Sequence, residues 1–300
     1  MANQLPRLFL IDGSSYIFRA FFAIPPLSNA AGLPTNAIFG FTNILLKLLK
    51  QYLPEYVVVA LDAGRETFRN DMYADYKSNR PEAPAELIPQ FPYFRKVLEV
   101  LNLPLLELPG YEADDIIATL CGTMSGKGCE VVVVSSDKDL MQLVTDGIRL
   151  LDSAKDRWIS AEQVREKFGV APEQVIEVMG LMGDPVDNIP GVKGIGEKTA
   201  IALIQQFHTL ENLFDHLAEI EQMKLRGAAR VRTLLEEKRG DAFLSRELAT
   251  VKRDVPIDMG LESLRARPPD IDKARILFTE LGFTNLLKLL ENESNHSLVP

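Results

Sequence analysis

Asp12 and Asp62 close two apolar runs, at 7–12 and 56–62. Glu112, Asp114 and Asp115 follow a third run at 105–108, and Asp137 and Asp139 follow a fourth at 130–135. Asp184 and Asp187 stand three residues apart, a spacing that puts both side chains on one face at a helix start. Any one Asp in such a place reads as a helix cap or an exposed turn. Nine in these positions read differently, because carboxylates gathered at one sheet edge repel one another and titrate upward unless cations compensate them. Oxygen ligands without His or Cys select hard cations, Mg²⁺ or Mn²⁺ rather than Zn²⁺. Many carboxylates and no evident nucleophile suit phosphodiester hydrolysis with two metals about 4 Å apart.

These residues need a scaffold that brings strand ends together. The first half alternates strand-like runs at 7–12, 56–62, 105–108, 130–135 and 148–151 with helical periodicity at 36–52, about 86–101 and 113–125. That alternation predicts an α/β core with a largely parallel central sheet, in which ligands bind beyond the carboxyl ends of the strands. The segment 65–84 interrupts it with many charges and few aliphatics, and reads as a loop, lid or arch. Past 160 the strands stop, and 161–168, 173–182, 197–207 and 272–281 read as short helices. The expected organisation is a core over 1–160 with an arch at about 65–84, a helical region over 161–291, and a flexible tail over 292–300.

Competing motifs fail on single residues. A haloacid-dehalogenase-type phosphatase requires Asp-x-Asp after its first strand, but Ser14 stands at the second position. The run Gly191-Val-Lys-Gly-Ile-Gly196-Glu-Lys-Thr199 misses a Walker A loop because Glu197 intervenes where lysine must follow glycine directly. It suits a helix-hairpin-helix over about 183–207. There Gly191, Gly194 and Gly196 allow tight turns, and the backbone around Lys193, Ile195, Lys198 and Thr199 offers donors to a DNA phosphate. Such a contact reads backbone rather than bases.

Five ordered motifs together resemble the 5′-nuclease superfamily, most closely the 5′→3′ exonuclease domains of bacterial polymerase I type. They are Leu10-Ile-Asp12-Gly-Ser-Ser, Leu61-Asp62, Tyr111-Glu-Ala-Asp-Asp115, Ser136-Asp-Lys-Asp-Leu140 and 183–200. The resemblance runs from about residue 8 to 290 and implies a PIN-like core with a helical arch. It implies a divalent-metal-dependent, structure-specific nuclease, both 5′→3′ exonuclease and flap endonuclease, serving Okazaki fragment processing and repair. By that resemblance Asp12, Asp62, Glu112, Asp114 and Asp115 surround one metal, and Asp137, Asp139, Asp184 and Asp187 the second. Arg19, Tyr76, Lys77 and Arg80 engage the scissile phosphate and the strand, and K⁺ sits at the hairpin. The implied partners are nicked or branched duplex DNA with a 5′ flap, RNA primers, and polymerase domains in cis or in trans. A full polymerase I continues past residue 300. With all nine positions filled, the reading favours the polymerase-type domain with intact catalysis. Two other readings compete: a PIN-type or RNase H-like ribonuclease, which needs neither hairpin nor arch, and a branched-DNA binding module with vestigial carboxylates.

The composition of the 300-residue chain is that of an ordinary globular protein, 46% hydrophobic and 25% charged. Charged residues interrupt every long apolar run and residues 1–6 lack signal-peptide character, so neither membrane nor secretion is expected. Cys121 and Cys129 are the only cysteines, which suits a reducing cytoplasm; the resemblance to the polymerase I type implies a bacterial, nucleoid-associated setting and a monomer. The three histidines have no ligand spacing. The net charge of −9 argues against binding a polyanion at first sight. Setting the nine carboxylates aside from 42 acids leaves 33, equal to the 33 bases, which removes the objection.

Overall fold

The computed structural model describes residues 5–294. Six strands form one sheet in the order β3-β2-β1-β4-β5-β6. They are β1 Arg7–Asp12, β2 Tyr56–Ala60, β3 Leu105–Leu106, β4 Glu130–Val134, β5 Ile148–Asp152 and β6 Arg157–Ile159. All neighbours are parallel except β5 and β6. Buried Val, Leu and Ile fill the central strands, as a sheet covered on both faces requires. Its antiparallel edge strand β6 was not expected from sequence.

Thirteen α-helices are present among the described residues. Those before the carboxyl-terminal half are α1 Gly13–Ala23, α2 Asn36–Tyr52, α3 Phe68–Met72, α4 Phe91–Val100 and α5 Ala113–Ser125. After β6 come α6 Ala161–Phe168, α7 Val175–Met182, α8 Glu197–Phe207, α9 Leu210–Asp215, α10 Ala228–Glu237, α11 Arg239–Ala249, α12 Ile271–Leu281 and α13 Thr284–Ser294. The expected helix at 36–52 is α2, and the strand at 7–12 is β1. Of the tail expected over 292–300, residues 292–294 complete α13, and 295–300 lie outside the described residues. Among the described residues no helix is long and apolar enough to cross a membrane.

Strand pleating divides the core into two layers. One face carries Leu8, Leu10, Val131, Val133 and Leu150 against α5, α7 and α8. The other carries Phe9, Ile11, Val132, Val134 and Leu151 against α1, α2 and α4. Helices α12 and α13 return from the end of the chain to this second layer, where Phe278, Phe283 and Leu290 are buried.

Two expectations need correction. Asp184 and Asp187 do not begin a helix: Pro185 to Asn188 form a turn closed by reciprocal backbone bonds between Asp184 and Ile189, 3.0 and 2.8 Å. The 65–84 segment is neither helical throughout nor unburied. Its helix is five residues long, turns follow, and Arg69 and Tyr76 are only 2% and 4% exposed.

Candidate active site

The sheet reverses its winding between β1 and β4, the point at which open α/β sheets bind ligands. Asp12 ends β1 there. Its Oδ1 accepts from the Ser15 amide at 3.0 Å, capping α1, and its Oδ2 accepts from Ser135 Oγ at 2.7 Å. The Ser135 hydroxyl also accepts from the Asp137 amide at 3.0 Å, and Asp137 Oδ1 accepts from the Asp139 amide at 2.9 Å. One serine thus ties the β1 carboxylate to the turn that follows β4.

On the other side of β1, the Asp62 amide donates to Ser14 Oγ at 2.9 Å, and Asp62 Oδ1 accepts from the Ala113 amide at 2.8 Å, at the start of α5. Helix α5 therefore begins against β2, and its first turn delivers Glu112 and Asp114 towards the same edge.

Electrostatics show which carboxyls share the space. Burial, with Asp137 and Asp62 nearby, pushes Asp12 up to about 7 despite its hydrogen bonds. Burial and Asp137 push Asp139 up to about 8. Asp114 is raised well above the usual range by burial and by Asp137, Asp12 and Glu112. One oxygen of Asp139, Oδ1, is buried without any hydrogen-bond partner. Asp12, Asp62, Glu112, Asp114, Asp137 and Asp139 thus belong to one neighbourhood.

Basic side chains reach into it from the 65–84 segment. Lys77 Nζ lies 2.7 Å from Glu112 Oε1 and 3.7 Å from Asp187 Oδ2, and Arg80 pairs with Asp187. Burial works against the Lys77 ammonium, yet Glu112 and Asp187 keep its pKa above the ordinary lysine value. Tyr76 OH donates to Glu112 Oε2 at 3.2 Å. Lys138 Nζ pairs with Asp184 Oδ2 at 2.8 Å. The segment is seated on the 184–189 turn: the Lys77 amide donates to the Asp187 carbonyl, Asn79 to the Pro185 carbonyl, and Asn188 to the Asp75 carbonyl. The cleft between Tyr76, Glu112, Asp114, Asp139 and Asp187 encloses ≈ 10 Å³, room for about one water.

Asp115 is placed differently. It is 0% exposed, and its two oxygens receive the Arg69 guanidinium bidentately at 2.8 Å each, the Lys252 amide at 2.8 Å and the Glu112 amide at 3.1 Å. Arg69 also donates to the Leu248 and Thr250 carbonyls, both at 2.9 Å. This bond holds α3, the start of α5 and the chain after α11 together, and the same guanidinium stands 3.6 Å from Glu112 Oε2.

The donor set fits hard divalent cations: it is all oxygen, three of its carboxyls are raised by burial and mutual repulsion, and one has a buried idle oxygen. Among the described residues no three His, Cys, Asp or Glu side chains stand grouped to hold a metal, and Lys77, Arg80 and Lys138 are paired with Glu112, Asp187 and Asp184.

The hairpin forms between α7 and α8. Gly183 and Gly191 pass so closely that a Cβ on Gly191 would lie 2.4 Å from the Gly183 nitrogen, and both have positive φ. Gly191 is buried and its amide donates to Ser245 Oγ at 2.9 Å, so it braces the hairpin rather than offering a donor outward. Ile195 is buried too, its amide bonded to the Val192 carbonyl. Lys193, Gly194, Gly196 and Lys198 are exposed, and Thr199 is half-buried at the start of α8.

Two family models match, described as "5'-3' exonuclease, N-terminal resolvase-like domain" over residues 7–169 and "5'-3' exonuclease, C-terminal SAM fold" over 170–272. The chain belongs to the 5′-3′ exonuclease family. It is therefore a hydrolytic nuclease by family. A 5′-3′ exonuclease of Aquifex aeolicus is 41% identical over 284 residues, covering 95% of each chain. DNA polymerase I of Bacillus caldotenax is 43% identical over 98% of this chain and 33% of that protein, so the chain spans about a third of such polymerases. In fold it is similar to the T5 5′-exonuclease with bound zinc (TM-score 0.65, 23% identity, 95% of this chain and 97% of that one). It is also similar to the Rad2 catalytic core in complex with DNA substrate (0.60, 21%, 95% and 93%).

Sequence reasoning missed three residues of this exonuclease-family site. Arg69 reads as one charge among many in 65–84, Ser135 as a strand-end serine, and Asp152 falls one residue past the strand expected at 148–151. The last had a signal: it ends a strand on a carboxylate, as Asp12 does.

Proposed function

We propose that this chain is a divalent-metal-dependent, structure-specific 5′-nuclease that hydrolyses phosphodiesters of DNA or RNA primers at 5′ flaps and nicks. The observation that carries the proposal is the crowding of Asp12, Asp114, Asp137 and Asp139 at the switch point, faced by Lys77 and Arg80. Carboxylates so placed need cations, and cations so placed suit a phosphate. Asp12, Asp62, Glu112, Asp114, Asp137, Asp139, Asp184 and Asp187 would hold two or more Mg²⁺ or Mn²⁺ ions. Asp115 braces them through Arg69 and is not a ligand. Bound there, the ions would supply an activated water and neutralise charge on the phosphate.

The chain's own residues do the positioning. Lys77 and Arg80 exchange their carboxylate partners for phosphate oxygens, a trade between like interactions. Tyr76, with Lys77 Nζ 5.0 Å from its ring centroid, orients that lysine and Glu112 together. Exposed Lys193 and Lys198 and the amides around Gly194 and Gly196 grip the duplex backbone without reading sequence, with K⁺ at the hairpin. The acidic surface does not oppose this, since much of the negative charge lies where the metals sit. The setting is bacterial, cytoplasmic and nucleoid-associated, with polymerase domains in cis or in trans.

A 5′-labelled flap incubated with the protein and Mg²⁺, with and without EDTA, tests this. Metal-dependent release of the flap is expected. No product, or cleavage confined to single-stranded RNA, would overturn it in favour of a binding module or a ribonuclease.

A further inference from the structure

The parallel register places Ile11, Val134 and Leu151 side by side on β1, β4 and β5. The next residue on each strand, Asp12, Ser135 and Asp152, therefore lies in one row across the carboxyl edge. Asp152 ends β5 as Asp12 ends β1, and it is only 2% exposed. Its Oδ1 has no hydrogen-bond partner, and the Arg19 Nη1 beside it stands at 3.5 Å, an ion pair without hydrogen-bonding geometry. Lys155 Nζ is 3.8 Å from the other oxygen. A buried carboxylate held this loosely adds little to stability, because its desolvation is poorly compensated.

The geometry points to Asp152 as a positioning residue for Arg19. Helix α1 carries Arg19 along the row's edge, and its side chain is 33% exposed, so one side meets Asp152 while the other faces out. A long side chain that must be immobilised as charge develops on the reacting phosphate stabilises that charge better if already placed. Asp152 supplies that placement by charge, at a distance that lets Arg19 shift towards the substrate. This inference rests on the nuclease reading above, with Arg19 as a further phosphate contact beside Lys77 and Arg80, and assigns Asp152 no contact with substrate.

Single-turnover flap cleavage, flap affinity in Ca²⁺ and melting temperature would be measured for Arg19→Ala, Asp152→Asn and the double variant. Asp152→Asn should slow the cleavage step about tenfold, the scale of one charge-assisted contact, with affinity changed less than twofold. In the Arg19→Ala background it should change the rate less than twofold. Effects that multiply, or a wild-type rate in Asp152→Asn, overturn the inference while leaving the nuclease intact. A wild-type protein inactive with Mg²⁺ overturns the nuclease reading instead. If Asp152→Asn melts too low to assay, Asp152→Glu keeps the charge and should cleave within threefold of wild type; a folded but slow Glu variant refutes the role.

Discussion

Arg69→Met should be strongly destabilising, because it breaks a buried ion pair from one side. The substitution keeps the aliphatic stem and removes a guanidinium 2% exposed, which makes two bonds to Asp115 and two to the Leu248 and Thr250 carbonyls. Asp115 would keep only the Lys252 and Glu112 amides, at 2.8 and 3.1 Å, to support a fully buried charge. Breaking a buried pair from one side costs about 3–5 kcal/mol. Orphaning two carbonyls adds to this, less whatever entering water restores. A loss of about 4 kcal/mol, set against a total stability of roughly 5–15, leaves the variant marginal. Urea unfolding followed by the fluorescence of Trp158, the sole tryptophan, would measure it. Combining Arg69→Met with Asp115→Leu removes both charges, and the pair should lose about 2 kcal/mol less than the sum of the singles. A loss below about 1 kcal/mol for Arg69→Met, or strict additivity in the double variant, would refute the claim that this bond holds α3, α5 and the chain after α11 together.

Lys77→Met should slow single-turnover flap cleavage by about 10²-fold or more while leaving duplex affinity within a few-fold; equal losses in both would reduce Lys77 to an electrostatic contact. Asp12 near 7 and Asp139 near 8 keep protons in the metal-free fold that the unfolded chain has already lost above about 4. The metal-free protein should therefore lose stability as pH rises from about 5 to 8, and Mg²⁺ should raise the melting temperature more at pH 8 than at 5.5, releasing protons as it binds. Melting curves in EDTA that are flat across that range would contradict the crowding. Gly191→Ala should lower the melting temperature by several degrees, because its Cβ meets the Gly183 nitrogen at 2.4 Å and φ is +58°; a wild-type melting curve would show that the hairpin is looser than the geometry requires.

The row of carboxylates at the sheet's edge was largely legible because its logic is local. A buried strand announces itself by consecutive aliphatics, and the Asp that ends it is placed by that strand alone, as with Asp12 on β1. Helices α2 and α8 were legible for the same reason, by periodicity. What escaped depends on partners far away in the chain. Arg69 looks solvated until Asp115, 46 residues on, is seen to bury it. Asp184 and Asp187 carry a helical spacing, but the close crossing of Gly183 and Gly191 bends the chain into a turn that spacing cannot show. Asp152 escaped through a boundary error of one residue, enough to hide a carboxylate.

The return of α12 and α13 to the layer beneath α2 and α4 has a genetic consequence. The second family match ends at residue 272, yet Phe278, Phe283 and Leu290 beyond it are buried among residues of the first hundred. A recombinant that took its opening α/β half from one relative and its ending from another would join two halves of one core with unmatched side chains. Helices α12 and α13 must therefore be inherited with α2 and α4, although α12 begins at residue 271 and α4 ends at residue 100.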